Sequence, residues 1–511
     1  MKALASFLEG RWVEGSGDGT PLVDPTTGAA VGVVRPHGVP LGRALQWARD
    51  RGAPLRALTF AQRGAILTGL SQVIHARRDE LIEVSRTSGG TTRGDAKFDI
   101  DGACGTLAWY GALGTSLGER TFQLDGAADP VLRSKRFVGQ HVWMPRPGVA
   151  IHINAFNFPA WGMAEKAAVA WLAGVPVFTK PATATAALAV SIAELWVASG
   201  LLPEGALSLL AGSAGDLLDH VGPQDVVAFT GGSETGAKVR AHPAVVRHNV
   251  RVNIEADSLN ASVLGPDAAP GSDTFQMFVN DVTKDLVQKA GQKCTCVRRI
   301  LVPRDTAAAA IEAITDRLSR VVVGDPAEKG TEIGPVASPA QQAAVMAGLA
   351  SLAAVAEVVW RADAPDTGCF VTPTLFRADR GADTPYVHEH EVFGPVATVL
   401  PYSGEAAEAV AIVAKGGGGL VCSLYTDDLA FAGPVLTGLA PWHGRIHWGS
   451  AKVHDQSPGP GTVLPNLLHG GPGKAGGGEE LGGARGLAFY CQRTAIMGDR
   501  ALLERLFGSA T

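Results

Sequence analysis

Between residues 147 and 256, short apolar runs alternate with longer amphipathic ones, and this alternation restricts the chain to few folds. GVAIHIN, VPVFT, ALSLLAG, DVVAFT and VRVNI read as strands, while PAWGMAEKAAVAWLAG and TATAALAVSIAELWVASG read as helices. Strands bounded by Gly and Pro and separated by helical periodicity form a parallel sheet covered on both faces. The pattern is of the α/β nucleotide-binding type. A second alternation follows, with a helix near 272 to 290, a strand at VRRILVP, a helix near 306 to 319, and strands at VATVLPY and LVCSLYT. Two such units on one chain place a cleft between them. A chain of 511 residues also exceeds one ordinary core, since domains cluster near roughly 100 to 200 residues. RFVGQHVWMPRPG near 136 to 148 and LAFYCQRTAIM near 487 to 497 read as extended segments outside either unit, able to pair as an arm. The glycine clusters KGGGG (415 to 419) and HGGPGKAGGGEELGG (469 to 483) read as loops rich in backbone N–H groups.

Charge and apolar run lengths exclude several partners. A formal charge of −5 offers no broad positive field for a phosphate backbone, so no nucleic acid is expected. The opening MKALASFLEG has a six-residue mildly apolar stretch before Glu9, too short for a secretory leader. The longest apolar stretch, AAVAWLAGVPVF at 167 to 178, falls short of the roughly 18 to 20 residues that span a bilayer. A cytoplasmic protein without membrane contact is the expectation. Apart from one close pair, the six cysteines are scattered without framework spacing, as suits a reducing compartment.

Four stretches have the residue types for chemistry, each with a plainer reading beside it. AFTGGSETG (228 to 236) runs an apolar strand into glycines and a helix start, a turn that offers N–H groups to a phosphate or merely links two elements. AFNFPAW (155 to 161) puts Asn157 where an amide donates to an oxyanion or caps a helix. VNIEADS ends a strand on Glu255, either a general base or an edge carboxylate facing water. GQKCTCVRR places Cys294 and Cys296 two positions apart. With no second Cys/His pair at ligand spacing, a metal is not expected, and a disulfide across one residue is strained. A nucleophile and a small core filler both stay open.

Taken together and in order, these stretches resemble the aldehyde dehydrogenase superfamily, whose motifs run along nearly the whole chain. Asn157, Lys180 in FTKPATAT, the FTGGSETG turn, Glu255, Cys294 and HEVFGPV (390 to 396) follow that superfamily's sequence order, as do VGDP (323 to 326) and IGP (333 to 335). INAFNFPAWGM, KPATATA, EADSLN and HGGPGKAGGGEELGG are most similar to a narrower group, the semialdehyde dehydrogenases of phenylacetyl-CoA and aerobic benzoyl-CoA degradation. The resemblance implies an α/β fold with a Rossmann-like cofactor domain (1–130 and 149–256), an α/β catalytic domain (257–460) and a β oligomerisation arm (131–148 and 484–500). A homodimer is expected.

The same resemblance implies roles, residue by residue. Cys294 is the expected nucleophile, Asn157 with a backbone N–H at 294 the oxyanion donors, Glu255 the general base and Glu480 part of a proton relay; Cys296 is packing. Lys180 would reach the adenine ribose, the Gly231 to Gly236 turn with Ser233 would hold pyrophosphate, Glu391 and Phe393 would hold the nicotinamide ribose and ring, and Phe156 would line the cofactor site. Two departures from the family pattern stand out. Glu-Leu-Gly-Gly becomes Glu255-Ala256-Asp257-Ser258, and Thr183 stands where NAD-preferring members have a glutamate. That glutamate binds the ribose 2′-hydroxyl and repels a 2′-phosphate, so Thr183 points to NADP, with NAD also accepted. The expected reaction is oxidation of a CoA-linked semialdehyde to the acid. Because the chain stops at Thr511 with no further hydratase-like domain, the benzoyl-CoA branch and 3,4-didehydroadipyl-CoA semialdehyde are favoured. The alternatives are the phenylacetyl-CoA branch (3-oxo-5,6-dehydrosuberyl-CoA semialdehyde), a CoA-acylating dehydrogenase and a non-catalytic relative.

Overall fold

The computed structural model describes residues 3–35, 38–131, 133 and 135–508. Leu132 and Ser134 of the expected arm, and the closing Thr511, lie outside the described residues.

Two seven-stranded sheets organise the chain. The first runs, edge to edge, Arg251–Glu255, Val226–Thr230, Ala150–Ile153, Val177–Lys180, Leu207–Leu209, Ser6–Leu8 and Arg11–Val13. Its first five strands are parallel and the last two join antiparallel. After the two edge strands Ser6–Leu8 and Arg11–Val13, the parallel part of this sheet starts at Ala150–Ile153, builds outward through Val177–Lys180 and Leu207–Leu209, then returns to the other side at Val226–Thr230. Such a reversal opens a crevice at the strands' carboxyl ends. Asn157 and Gly231 follow the two strands that flank it.

One helix sits deep in this unit. Trp161–Ala173 is apolar almost all round, and every residue except Gly162 is buried. A helix with no polar face has to lie inside, and this one carries Glu165 and Lys166 into the interior with it.

The second sheet has the order Glu357–Arg361, Thr374–Arg377, Val396–Tyr402, Arg299–Pro303, Ala261–Leu264, Gly419–Tyr425, His443–Gly449. Only Glu357–Arg361 pairs antiparallel. Its covering helix Asp273–Val287 starts where the Ser272 side chain accepts the Phe275 N–H, and it buries Phe275, Phe278, Val282 and Leu286. The chain then turns through Gln288–Gly291 with Lys289, Ala290 and Gly291 all at positive φ (55°, 50° and 67°), just before Cys294.

The expected arm segments do pair: Cys491–Asp499 runs antiparallel to Phe137–Pro145, from Cys491 opposite Pro145 to Asp499 opposite Phe137. Three details differ from the sequence expectation. Residues 487 to 490 belong to a tight 3₁₀ segment, Gly483–Tyr490, and not to the strand. Gln123–Pro130, expected in the first unit, is the arm's third strand. The glycine-rich 469 to 483 region is no plain loop, since Leu468–Gly471 and Gly478–Leu481 form a hairpin that sets His469 opposite Glu480. Its glycines follow from a close approach: a Cβ on Gly478 would lie 2.4 Å from the Ile254 carbonyl oxygen. The hairpin therefore rests directly on the end of the strand that carries Glu255.

Candidate active site

Both sheets deliver side chains to a cleft of ≈ 830 Å³ that reaches from Lys180 and Thr183 at one end to Glu255 and Cys294 at the other. Phe156, Asn157, Gly231, Glu391 and Phe393 line it as well. A second, narrower cavity meets the first at Asn157, Glu255 and Cys294, and is walled by Phe158, Trp161, Val463 and His469. Cys294 thus faces two spaces at once, one long and of mixed polarity, the other small and largely apolar.

The two thiols of GQKCTCVRR have different surroundings. Cys294 is the one cysteine of the six that is not fully buried. Cys296 lies behind it, with its Sγ donating to the Asp285 carbonyl oxygen at 3.1 Å. Asn260 fixes the turn between them, its Nδ2 donating to the carbonyls of Cys294 (2.7 Å) and Cys296 (3.0 Å). Gly291 allows the approach from the other side, because a Cβ there would lie 2.2 Å from the Gly394 carbonyl oxygen.

Glu255 ends its strand fully buried. His469 Nε2 lies 3.0 Å from Glu255 Oε1 and 3.7 Å from Cys294 Sγ, and Thr230 Oγ1 donates to Glu255 Oε2 at 3.3 Å. Burial alone would raise the Glu255 carboxyl, but the charge and hydrogen bond of His469, with Lys166 behind, hold it down at about 2. His469 is correspondingly raised well above its ordinary value: burial opposes this, and Glu255 outweighs burial. The Cys294 thiol is pushed up to about 11 by burial and by Glu255, against the pull of His469. Behind this cluster Lys166 Nζ lies 3.0 Å from Glu480 Oε2 and 3.5 Å from Glu165 Oε1, and Asn253 Nδ2 donates to Glu480 Oε1 at 3.1 Å. Burial raises Glu165 to about 7 and also raises Glu480. A chain of ionisable groups therefore runs from Cys294 through Glu255 toward Glu480 and Glu165.

At the far end of the cleft, burial lowers the Lys180 pKa, and among the described residues no carboxylate pairs with its ammonium. Glu391 is held rigidly, its Oε2 accepting the Ser258 N–H (2.9 Å) and its Oε1 accepting Arg298 Nε (3.1 Å). Arg298 also stacks on the Phe393 ring, 5.4 Å from its centroid. The Ala-Asp-Ser departure has a structural use here. Ser258 supplies that N–H and bonds Asn260 Oδ1 at 2.6 Å, while Asp257 bonds Ser233 at the start of the helix Ser233–Arg240. Two expected cofactor contacts consequently sit elsewhere. The Ser233 side chain is engaged by Asp257, and Gly236 is buried within the helix against Ile254, so neither lines the cleft.

The structure brings Asn157, Glu255, Cys294 and Glu480 to one place, and adds His469, Lys166, Glu165 and Arg298, which the sequence reading gave no role. Three of them had a signal, the charged pair inside the apolar helix AEKAAVAW and the arginine four positions past the thiol, whereas nothing in the sequence around His469 marks it.

A thiol beside a carboxylate and an amide, at the junction of a long cleft and a small, mostly apolar cavity, defines a class of enzyme. The profile of the aldehyde dehydrogenase family matches residues 12–496. The chain belongs to the aldehyde dehydrogenase family and is an aldehyde-oxidising enzyme of it. Among individual proteins, it is 46% identical over 479 residues, 92% of this chain and 93% of the other, to the 3,4-dehydroadipyl-CoA semialdehyde dehydrogenase of Aromatoleum evansii. Two solved structures share the fold: an NADP-dependent enzyme of E. coli (TM-score 0.85, 24% identity, 98% of each chain) and PnpE in complex with nicotinamide adenine dinucleotide (0.84, 23%, 97% of each). Among the described residues, no helix is long and apolar enough to cross a membrane.

Proposed function

We propose that this enzyme oxidises a CoA-linked semialdehyde, 3,4-didehydroadipyl-CoA semialdehyde, to the carboxylic acid with NADP in benzoate degradation, acting as a homodimer in the cytoplasm. The observation that carries the reading is the position of Cys294 where the two cavities meet, within reach of Glu255 and His469. The similarity along 92% of the chain to a dehydrogenase of that name supports the substrate. The apolar walls Phe158, Trp161 and Val463 suit the carbon chain of a linear semialdehyde.

The cofactor fits the residues present. Lys180, without a carboxylate partner among the described residues, has a charge to offer a 2′-phosphate, and no carboxylate at position 183 repels one. The N–H of Gly232, which opens the helix Ser233–Arg240, suits the pyrophosphate, the Gly231 N–H being taken by the Glu255 carbonyl oxygen at 3.1 Å, and Glu391 with Phe393 suit the nicotinamide end. When bound, the nicotinamide supplies the hydride acceptor.

The chain's own groups do the rest. Sγ of Cys294 adds to the aldehyde carbon, and the Asn157 amide with a backbone N–H stabilises the oxyanion; removing one such donor typically costs about 10² to 10³ in rate. Loss of hydride leaves a thioester on Cys294. Glu255 then takes a proton from water, which attacks the thioester and releases the acid, and Lys166 with Glu480 and Glu165 offers the proton a route away from the buried carboxyl. Steady-state assays with the semialdehyde test this: kcat/KM is higher with NADP than with NAD, Thr183→Glu reverses the order, the product is the free acid, and Cys294→Ala forms no NADPH. A clear NAD preference or an acyl-CoA product sinks the corresponding part.

A further inference from the structure

His469 is 4% exposed, and its Nε2 is the one imidazole atom in contact with both reactive groups, 3.0 Å from Glu255 Oε1 and 3.7 Å from Cys294 Sγ. The hairpin register fixes the ring there, opposite Glu480. The reactive atoms of Glu255, Cys294 and His469 all lie within 4.8 Å of one another. Other charged groups face this trio from each packed element: Glu165 and Lys166 from the helix Trp161–Ala173, Glu480 from the hairpin, and Arg445 from the strand His443–Gly449. Buried together, an imidazolium and a carboxylate form a neutral pair, and the adjacent thiol has the Glu255 carboxylate beside it as a proton acceptor.

We propose that His469 is the residue that lets Cys294 ionise: its Nε2–H, resting on Glu255, passes to the sulfur as the thiol proton moves to the Glu255 carboxylate. The S–H bond breaks, its electron pair stays on Sγ and its proton forms an O–H bond on Glu255. The Nε2–H bond does not break; only its acceptor changes. No charge enters or leaves the cluster, so thiolate forms without an uncompensated anion in a buried site. With Glu255 held at about 2 and the thiol at about 11, the proton rests on sulfur in the free enzyme and the thiolate forms only transiently; the charge and hydrogen bond of His469, with the charge of Arg445 nearby, lower the cost of forming it.

The inference rests on Cys294 being the nucleophile, and its test uses neither aldehyde nor cofactor. The second-order rate of Cys294 alkylation by iodoacetamide is measured from pH 6 to 10, with Cys294→Ala as the blank. His469→Gln keeps an N–H donor and loses the positive charge. Its alkylation midpoint is expected to rise by about one pH unit or more, about tenfold less thiolate at pH 7, with rates converging at high pH; a profile that overlays the wild type overturns the proposal. Glu255→Gln, close in size and shape to the native side chain, is the second arm, useful should the histidine variant not fold. With the proton acceptor removed it is expected to alkylate more slowly at pH 7, whereas faster alkylation, as simple relief of repulsion from the carboxylate predicts, overturns it. If iodoacetamide leaves Cys294 unmodified in the wild type, the nucleophile assignment itself fails, and with it this inference.

Discussion

Cys294 and Cys296 are two residues apart, yet one opens onto both cavities and the other hydrogen-bonds the Asp285 carbonyl from within the core. Cys296→Ala removes one buried sulfur and no reacting atom. It is expected to keep most of the wild-type kcat and to cost about 1 kcal/mol of stability, as a typical buried substitution does; loss of turnover in the folded variant would contradict this. The Glu255–His469 pair also makes stability depend on pH. Glu255 is held at about 2 against an ordinary 4.5, so its contribution is complete above pH 4.5 and is lost as the pH falls toward 2. His469 is held above its ordinary 6.5, so its contribution is complete below that value and is lost as the pH rises through the raised one. The difference in Tm between the wild type and His469→Gln is therefore expected to be largest between pH 4.5 and 6.5 and to shrink on either side, in melts recorded from pH 3 to 9. At this scale the sequence exposed Cys294, Glu255 and Asn157 through their order and motifs. His469 was hidden, because it is 175 residues from the thiol it touches and nothing local marks a histidine beside glycines as a partner.

The turn that presents Cys294 is built by neighbours on both sides. Lys289 and Ala290 hold positive φ without being glycine, a strained arrangement that persists where the surroundings dictate it. Asp95 Oδ1 accepts the Lys289 N–H at 2.9 Å, Arg298 Nη2 donates to the Gly291 carbonyl at 3.0 Å, and Gly291 touches the Gly394 backbone. Gly291→Ala combines a positive φ with that close contact. It is expected to lower stability by about 1 to 3 kcal/mol and to lower kcat more than it raises KM, because Cys294 shifts relative to Glu391 and Phe393, the residues proposed to hold the nicotinamide end; unchanged kinetics would show that this contact does not position the thiol. Most strands and helices around the cleft were legible from periodicity, with Val226–Thr230 and Arg251–Glu255 close to their expected bounds. Elements whose composition imitates a loop were not. Gln123–Pro130 reads QLDGAADP, and the hairpin strand LHGG is half glycine, since its neighbours are backbone and leave no room for side chains. Ala261–Leu264 is short and follows the EADSLN turn without a break signal, although it is central to its sheet.

For the molecule as a whole, the two α/β units were legible because each repeats a strand-and-helix period, whereas the meeting of two cavities at one sulfur depends on how the units dock, which periodicity does not encode. The arm is the part that looks outward. Among the described residues its strand Cys491–Asp499 pairs on one side only, which leaves a row of backbone donors and acceptors at an open edge. Natural proteins cover or charge such edges, or pair them with another chain. Met497 is 63% exposed on that strand and Phe137 41% on the next, and the helix Arg500–Phe507 that follows exposes Leu502 (67%) and Leu506 (73%). Apolar side chains gathered along an unpaired edge are what a second copy of the arm would cover. Light scattering coupled to size exclusion is expected to give twice the 52.8 kDa chain mass. Met497→Lys should shift the population toward a single chain, because a charge at the covered edge costs the interface and costs an isolated arm little. A wild-type mass of one chain would mean that the arm's apolar edge is tolerated in water, and would remove the dimer from the proposed assembly while leaving the chemistry at Cys294 untouched.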